Sequence, residues 1–100
     1  MPTAYITAPR DAAAELARLL VEERLAACVN VVDCESTYRW EGAVHDDPES
    51  VLLAKTTADA YGRLVERVTE AHPSDVPCVE RFDEADVLAS FGAWRDGAVE

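Results

Sequence analysis

Ser36-Thr37-Tyr38-Arg39-Trp40-Glu41-Gly42 and, after a short acidic bend, Glu49-Ser50-Val51-Leu52-Leu53-Ala54-Lys55-Thr56-Thr57 decide the fold of this chain. Polar alternates with aromatic through Thr37, Tyr38, Arg39 and Trp40, the pattern of a strand with two different faces. Val51 to Ala54 is apolar at every position, as in a strand covered on both sides. The two segments read as the arms of a long hairpin with its bend over residues 42–48. Counted from Cys28 to Glu41 at about 3.3 Å per residue, the first arm is about 45 Å long. A domain of about 100 residues has a radius of gyration of only about 13 Å. The ribbon must therefore project, and a two-stranded ribbon bearing Tyr38 and Trp40 is marginal alone and prone to edge pairing. Self-association is the expected remedy.

Working outward, Thr3 to Ala8 predicts a short strand ended by Pro9. Asp11 is placed to cap a helix running to about Leu25, with Ala13, Leu16, Ala17 and Leu20 on one side and Glu15, Arg18 and Glu22 on another. The first long strand is expected over Ala26–Glu41, with Cys28, Val32, Tyr38 and Trp40 on one face unless a bulge intervenes. Thr57 is suited to cap a second helix carrying Tyr61, Leu64, Val65, Val68 and Ala71, stopped at His72-Pro73. Pro77 to Phe82 reads as the last strand. A third helix is expected to begin at Asp83, with Val87, Phe91 and Trp94 as its apolar stripe. This order, β-α-β-β-α-β-α in one domain over residues 1–100, is the ferredoxin-like α+β pattern, an antiparallel sheet with helices on one face. The other face needs a cover, which the third helix and further copies of the chain would supply.

Composition narrows the function. Twenty acidic residues against nine basic ones give a net charge of −11, which opposes contact with a phosphate backbone, so nucleic acid is not an expected partner. Lys55 is the only lysine and the acidic residues are spread over every segment. That usage resembles the acidic, salt-adapted surfaces of halophilic proteins; a cation-binding surface is the alternative, but it would need converging ligands. No secretion signal and no stretch long enough to span a membrane is visible, so a cytoplasmic protein is expected. Cys28, Cys34 and Cys78 are an odd set without C-x-x-C spacing, which fits reduced thiols. With four glycines there is no G-x-G-x-x-G or phosphate loop, and no H-E-x-x-H, so neither an organic cofactor nor an enzyme is expected.

In order and spacing, T-A-Y-I-T-A-P, L-V-E-E-R-L-A-A-C-V-N, S-T-Y-R-W-E-G, L-L-A-K-T-T, H-P-S-D-V-P and the closing Phe91 and Trp94 resemble the CutA family of divalent-cation tolerance proteins over nearly the whole chain. The resemblance implies a ferredoxin-like subunit, a tight homotrimer whose hairpins pair between subunits, a role in tolerance of copper or another divalent ion, and structural kinship with the trimeric P-II signalling proteins. The chain departs from the family pattern at Ser74 and Asp75 after His-Pro, where tyrosine and glutamate are common, and at Cys78, where an acidic residue is usual. Gly92 lies inside the last helix, at a cost of about 1 kcal/mol relative to alanine.

Soft copper ions favour thiolate and imidazole, which makes Cys28 and His72 the candidate metal ligands. Cys28 also reads as a small core residue, and His72 as the end of a helix before a proline. Cys28 and Cys34 share a strand face but lie about 20 Å apart, too far to hold one ion within a single chain. His45-Asp46-Asp47 reads either as a loose ion site or as a solvated hairpin tip. Tyr38, Trp40, Glu41, Lys55 and Trp94 are candidate interface or cleft residues. Of these, Lys55 is expected to pair across the ladder with Glu41 or Glu35. Two readings remain open: a non-enzymatic trimer for divalent-metal tolerance, and a P-II-like signalling or scaffold module that binds a small effector at subunit clefts. A thiol-based enzyme would need Cys28 or Cys78 beside His72.

Overall fold

A computed structural model describes residues 2–100 as β1 (Pro2–Pro9), α1 (Arg10–Glu22), β2 (Cys28–Trp40), β3 (Ala43–Lys55), α2 (Ala58–Ala71), β4 (Val79–Asp83) and α3 (Ala89–Ala98). The four strands form one sheet in the order β2-β3-β1-β4, antiparallel at every pairing. The expected ferredoxin-like α+β architecture is what the chain adopts. Alternation sorts the strands into two faces. Ala4, Ile6 and Ala8 of β1 and Leu52 and Ala54 of β3 are fully buried, against Ala13, Leu16 and Leu20 of α1 and Leu64 and Val68 of α2. The register puts Tyr5, Asn30, Val32, Val51 and Leu53 on the opposite face. No helix among the described residues is long and apolar enough to cross a membrane.

The hairpin is longer and tighter than the sequence suggests. β3 runs through the acidic segment as an unbroken partner of β2, from Trp40↔Ala43 to Cys28↔Lys55, so the expected bend over residues 42–48 shrinks to Glu41 and Gly42. Both have positive φ, 50° and 79°, the geometry of a two-residue turn whose twist matches its strands. Pro48 is tolerated because β3 has by then passed the end of β1, which pairs no further than Pro9↔Glu49, and on that side no ladder bond is lost. No bulge intervenes, so Cys28, Val32, Cys34, Tyr38 and Trp40 share one face. The long axis of the molecule is 45 Å.

At its root the hairpin is held by Arg10, the first residue of α1. Its guanidinium donates to the carbonyl oxygens of Cys34 and Glu49, one on each arm, and pairs with the Glu35 carboxylate at 3.1 Å. Arg10→Ala is expected to cost about 1 kcal/mol, discounted because the side chain is 41% exposed, and to speed amide exchange in the outer hairpin about fivefold. Exchange that is unchanged beyond Cys34 would show that Arg10 does not hold the root.

Helix boundaries depart from the sequence reading for local reasons. Asp11 does not cap α1: Pro9 occupies the cap position with no side-chain bond, and Asp11 lies in the first turn, where its charge still complements the helix dipole. The helix ends at Glu22, not Leu25. Arg24 takes a left-handed φ of 59°, its amide donates to the Val21 carbonyl, and that of Leu25 donates to the Leu20 carbonyl. This Schellman arrangement turns Leu25 back onto the core. Thr57 caps α2 as expected, its hydroxyl accepting from the Ala60 amide at 3.2 Å.

α3 starts at Ala89, six residues beyond Asp83, and it buries the other side of the expected stripe. Gly92 and Arg95 face inward, while Trp94 is 52% exposed and packs its ring against Phe91. Arg95 reaches the Glu84 carboxylate at 3.4 Å, and the same carboxylate oxygen accepts from the Thr3 hydroxyl. This charge-assisted relay fastens α3 to the start of β1.

Candidate functional site

The outer hairpin and the segment joining α2 to β4 enclose a cleft of about 600 Å³. Ser36, Tyr38 and Trp40 come from β2 and Glu49 from β3, with Thr7 of β1 at the base. The facing wall is the stretch 72–78, to which His72, Asp75 and Cys78 contribute.

Each wall is built from identifiable contacts. Tyr38 donates its hydroxyl to Asp47 at 2.5 Å and stacks on His45 with ring centroids 5.5 Å apart. The hydrogen bond to the Asp47 carboxylate pushes the phenol above its ordinary pKa. Thr37 donates to Asp46 at 2.6 Å. The segment His45-Asp46-Asp47 is thus committed to cross-strand pairs with β2.

His72 is 8% exposed and is held at both ring nitrogens. Nδ1 accepts from the Ser74 amide at 3.0 Å, so Nε2 carries the proton and donates to the Thr7 carbonyl at 2.7 Å. With both nitrogens bonded to the main chain, the imidazole has no free lone pair to offer a metal. The ligand role expected of His72 gives way to a positioning one: it staples the wall 72–78 to β1. Cys78 completes the staple, its carbonyl accepting from the Thr7 amide at 3.3 Å. Burial pushes the Cys78 thiol above its ordinary pKa, and its Sγ lies 3.7 Å from Glu80. A raised thiol is a poor nucleophile.

The remaining candidates scatter. Cys28 is half-buried at the far end of β2, in register with Lys55. It lies two strands across and about four residues along from Thr7, hence roughly 15 Å or more from His72. The expected pairing of Lys55 with Glu41 or Glu35 is overturned by the register: Glu41 sits in the turn at the other end of the hairpin and Glu35 opposes Pro48. Lys55 has no ion-pair partner among the described residues. Neither Glu41 nor Trp94 lines the cleft. Among the described residues no three His, Cys, Asp or Glu side chains converge as a metal site. Of the other lining residues, Ser36 is marked by alternation on the Tyr38 strand, whereas Glu49 is found only once the register is known.

Residues 3–98 match the family model described as CutA1 divalent ion tolerance protein. A divalent-cation tolerance protein CutA of Thermus thermophilus is 53% identical over 91 residues, covering 89% of this chain and 88% of the relative. The crystal structure of CutA1 from Pyrococcus horikoshii superposes with a TM-score of 0.95 at 34% identity, covering 100% of this chain and 99% of that one. A PII-like protein CutA from a Nostoc species, solved in apo form, gives 0.96 at 30% identity over 100% and 98% of the two chains.

Proposed function

Because this chain belongs to the CutA1 divalent ion tolerance family, we propose that it serves tolerance of divalent metal ions as a cytoplasmic, non-enzymatic homotrimer that meets the ion, copper foremost, where copies adjoin. The observation that carries the proposal is the placement of its thiols. Cys28 and Cys34 stand on the sheet face away from α1 and α2, the face on which Val32 and Phe82 are about half exposed. Copies that cover this face bring equivalent thiols toward one another, which supplies the soft donors that one chain holds apart. Three copies is the number that the family resemblance implies.

A titration with Cu(I) under anaerobic conditions, and with Cu(II), read by calorimetry with the mass followed by light scattering, tests this. Saturation at a whole number of ions per assembly is expected, with loss in Cys28→Ala at unchanged mass. No saturable binding up to about millimolar, a free energy of about −4 kcal/mol, overturns the metal reading. The second reading, a P-II-like module that binds a small effector, is favoured by the cleft under the hairpin, whose volume of about 600 Å³ is within the range of small-ligand sites.

A further inference from the structure

We infer that α3 and the residues that follow it to Glu100 form a strap that undocks from the folded domain as one unit, with the Arg95–Glu84 pair as its latch. Neither the metal reading nor the effector reading is needed for it. No residue of α3 belongs to the main core or packs against it. Where α1 buries Leu16 and Leu20, and α2 buries Leu64 and Val68, α3 buries a glycine and an arginine, Gly92 and Arg95. Its apolar anchor is a small cluster at its end, in which Val99 and Ala98 meet Ala27 and Ala60. The helix is also weak in itself: Gly92 and Gly97 lie within it, and Leu88 at its cap makes no side-chain bond. Ten residues of that composition do not hold a helix apart from their docking site. Undocking and unwinding are therefore one event.

The latch is buried but incompletely bonded. Arg95 is 0% exposed; its Nη1 meets Glu84 Oε1 at 3.4 Å and its Nε meets Asp96 at 3.5 Å. Nη2 of Arg95 and Oε2 of Glu84 are buried too, and neither has a hydrogen-bond partner among the described residues. A buried pair with unmet polar atoms on both partners recovers little of its desolvation cost, so it is a poor source of stability; the best-attested use of such pairs is to fix a register or a switch. At the far end the strap is held by Glu100, whose amide donates to the Arg24 carbonyl, whose carboxylate lies 3.7 Å from Arg24, and whose carbonyl accepts from Arg63. Ion pairs as exposed as Arg24–Glu100 contribute little and weaken with salt. All these contacts are on the side of α3 that its own chain covers. A second copy laid against Phe91 and Trp94 would hold the strap shut, so the solution assembly is the sample that decides.

Hydrogen exchange read by mass spectrometry on the full chain in its solution assembly, in molar KCl, tests this. The amides of α3 are expected to exchange about a hundredfold faster than those of α2 and to share one opening equilibrium, as a cooperative local unit does. Glu84→Gln, which keeps the shape of the side chain and removes its charge, is expected to speed α3 by about a further tenfold and to leave α2 unchanged. The double variant Glu84→Leu/Arg95→Met replaces the pair by apolar side chains and is expected to slow α3 below the parent rate. Amides of α3 as slow as those of α2 in the parent overturn the strap. Equal acceleration of both helices in Glu84→Gln, or none in either, overturns the latch.

Discussion

Replacing His72 by alanine is expected to lower folding stability by about 3 kcal/mol, a large effect for a residue at the edge of a loop. The imidazole satisfies one donor and one acceptor of the main chain, the Ser74 amide and the Thr7 carbonyl. Each loses its partner in the variant, at about 1–3 kcal/mol apiece where water does not enter. His72→Phe keeps the ring volume and removes both bonds, so it separates packing from polar satisfaction and is expected to recover less than half of the loss. The wall 72–78 then keeps the bond from the Thr7 amide to the Cys78 carbonyl but loses both imidazole bonds, and amide exchange at 74–77 should rise with the loss of stability. Copper binding per folded assembly is expected to survive both substitutions. A urea midpoint for His72→Phe indistinguishable from that of the parent would remove the staple from the account, and loss of copper binding with folding intact would restore His72 as a ligand.

How far the sequence discloses this arrangement varies with the kind of signal. Alternation at Thr37–Trp40 and the apolar run Val51–Ala54 mark the hairpin because they are local patterns with a known period. Residues 43–49, Ala-Val-His-Asp-Asp-Pro-Glu, have no such pattern, and they are a strand only because β2 offers partners: Thr37 for Asp46, and Tyr38 for Asp47 and His45. Cross-strand pairing decides the element there against intrinsic propensity. The end of α1 is hidden for a similar reason, since a left-handed Arg24 is an uncommon substitute for glycine at that position.

The candidate site divides along the same line. Tyr38 and Trp40 are visible as exposed aromatics of a ribbon, and His72 as a histidine before proline, but of the two bonds that occupy its ring one comes from the nearby Ser74 amide and the other goes to Thr7, 65 residues away in sequence. Lys55 misleads because a lone lysine invites a partner, while only the register tells that Cys28 and Thr3 are its neighbours. Of the expected stripe, Val87 lies before α3, and although Phe91 and Trp94 are spaced for burial, Arg95 takes the interior by pairing with Glu84 and leaves Trp94 outward. An apolar stripe on the outside of a subunit is readable as a core only when a second copy is considered.

Val32→Glu is expected to convert the assembly into monomers, the largest change in mass from any single substitution proposed for this chain. Val32 is 54% exposed in one chain and sits beside Val51 at the middle of the face turned away from α1 and α2. On that face Tyr5 stacks on Phe82, itself 49% exposed, and Leu53 lies in register between Asn30 and Tyr5. A sheet with one apolar face covered and the other open, and with an edge strand 13 residues long in β2, is the arrangement that proteins ordinarily close by pairing with further copies. A carboxylate introduced at the centre of that contact must be desolvated or protonated in every copy, at several kcal/mol each, and ring closure multiplies the penalty by the number of subunits. The same carboxylate at Val44, 59% exposed and on the opposite face of the hairpin near its turn, falls outside the patch and is expected to leave the mass unchanged. Light scattering of both variants beside the parent in molar KCl, where repulsion among the acidic side chains is screened, decides the matter. A parent that is already monomeric, or a Val32→Glu variant that keeps the parental mass, would show that this face is not where copies meet.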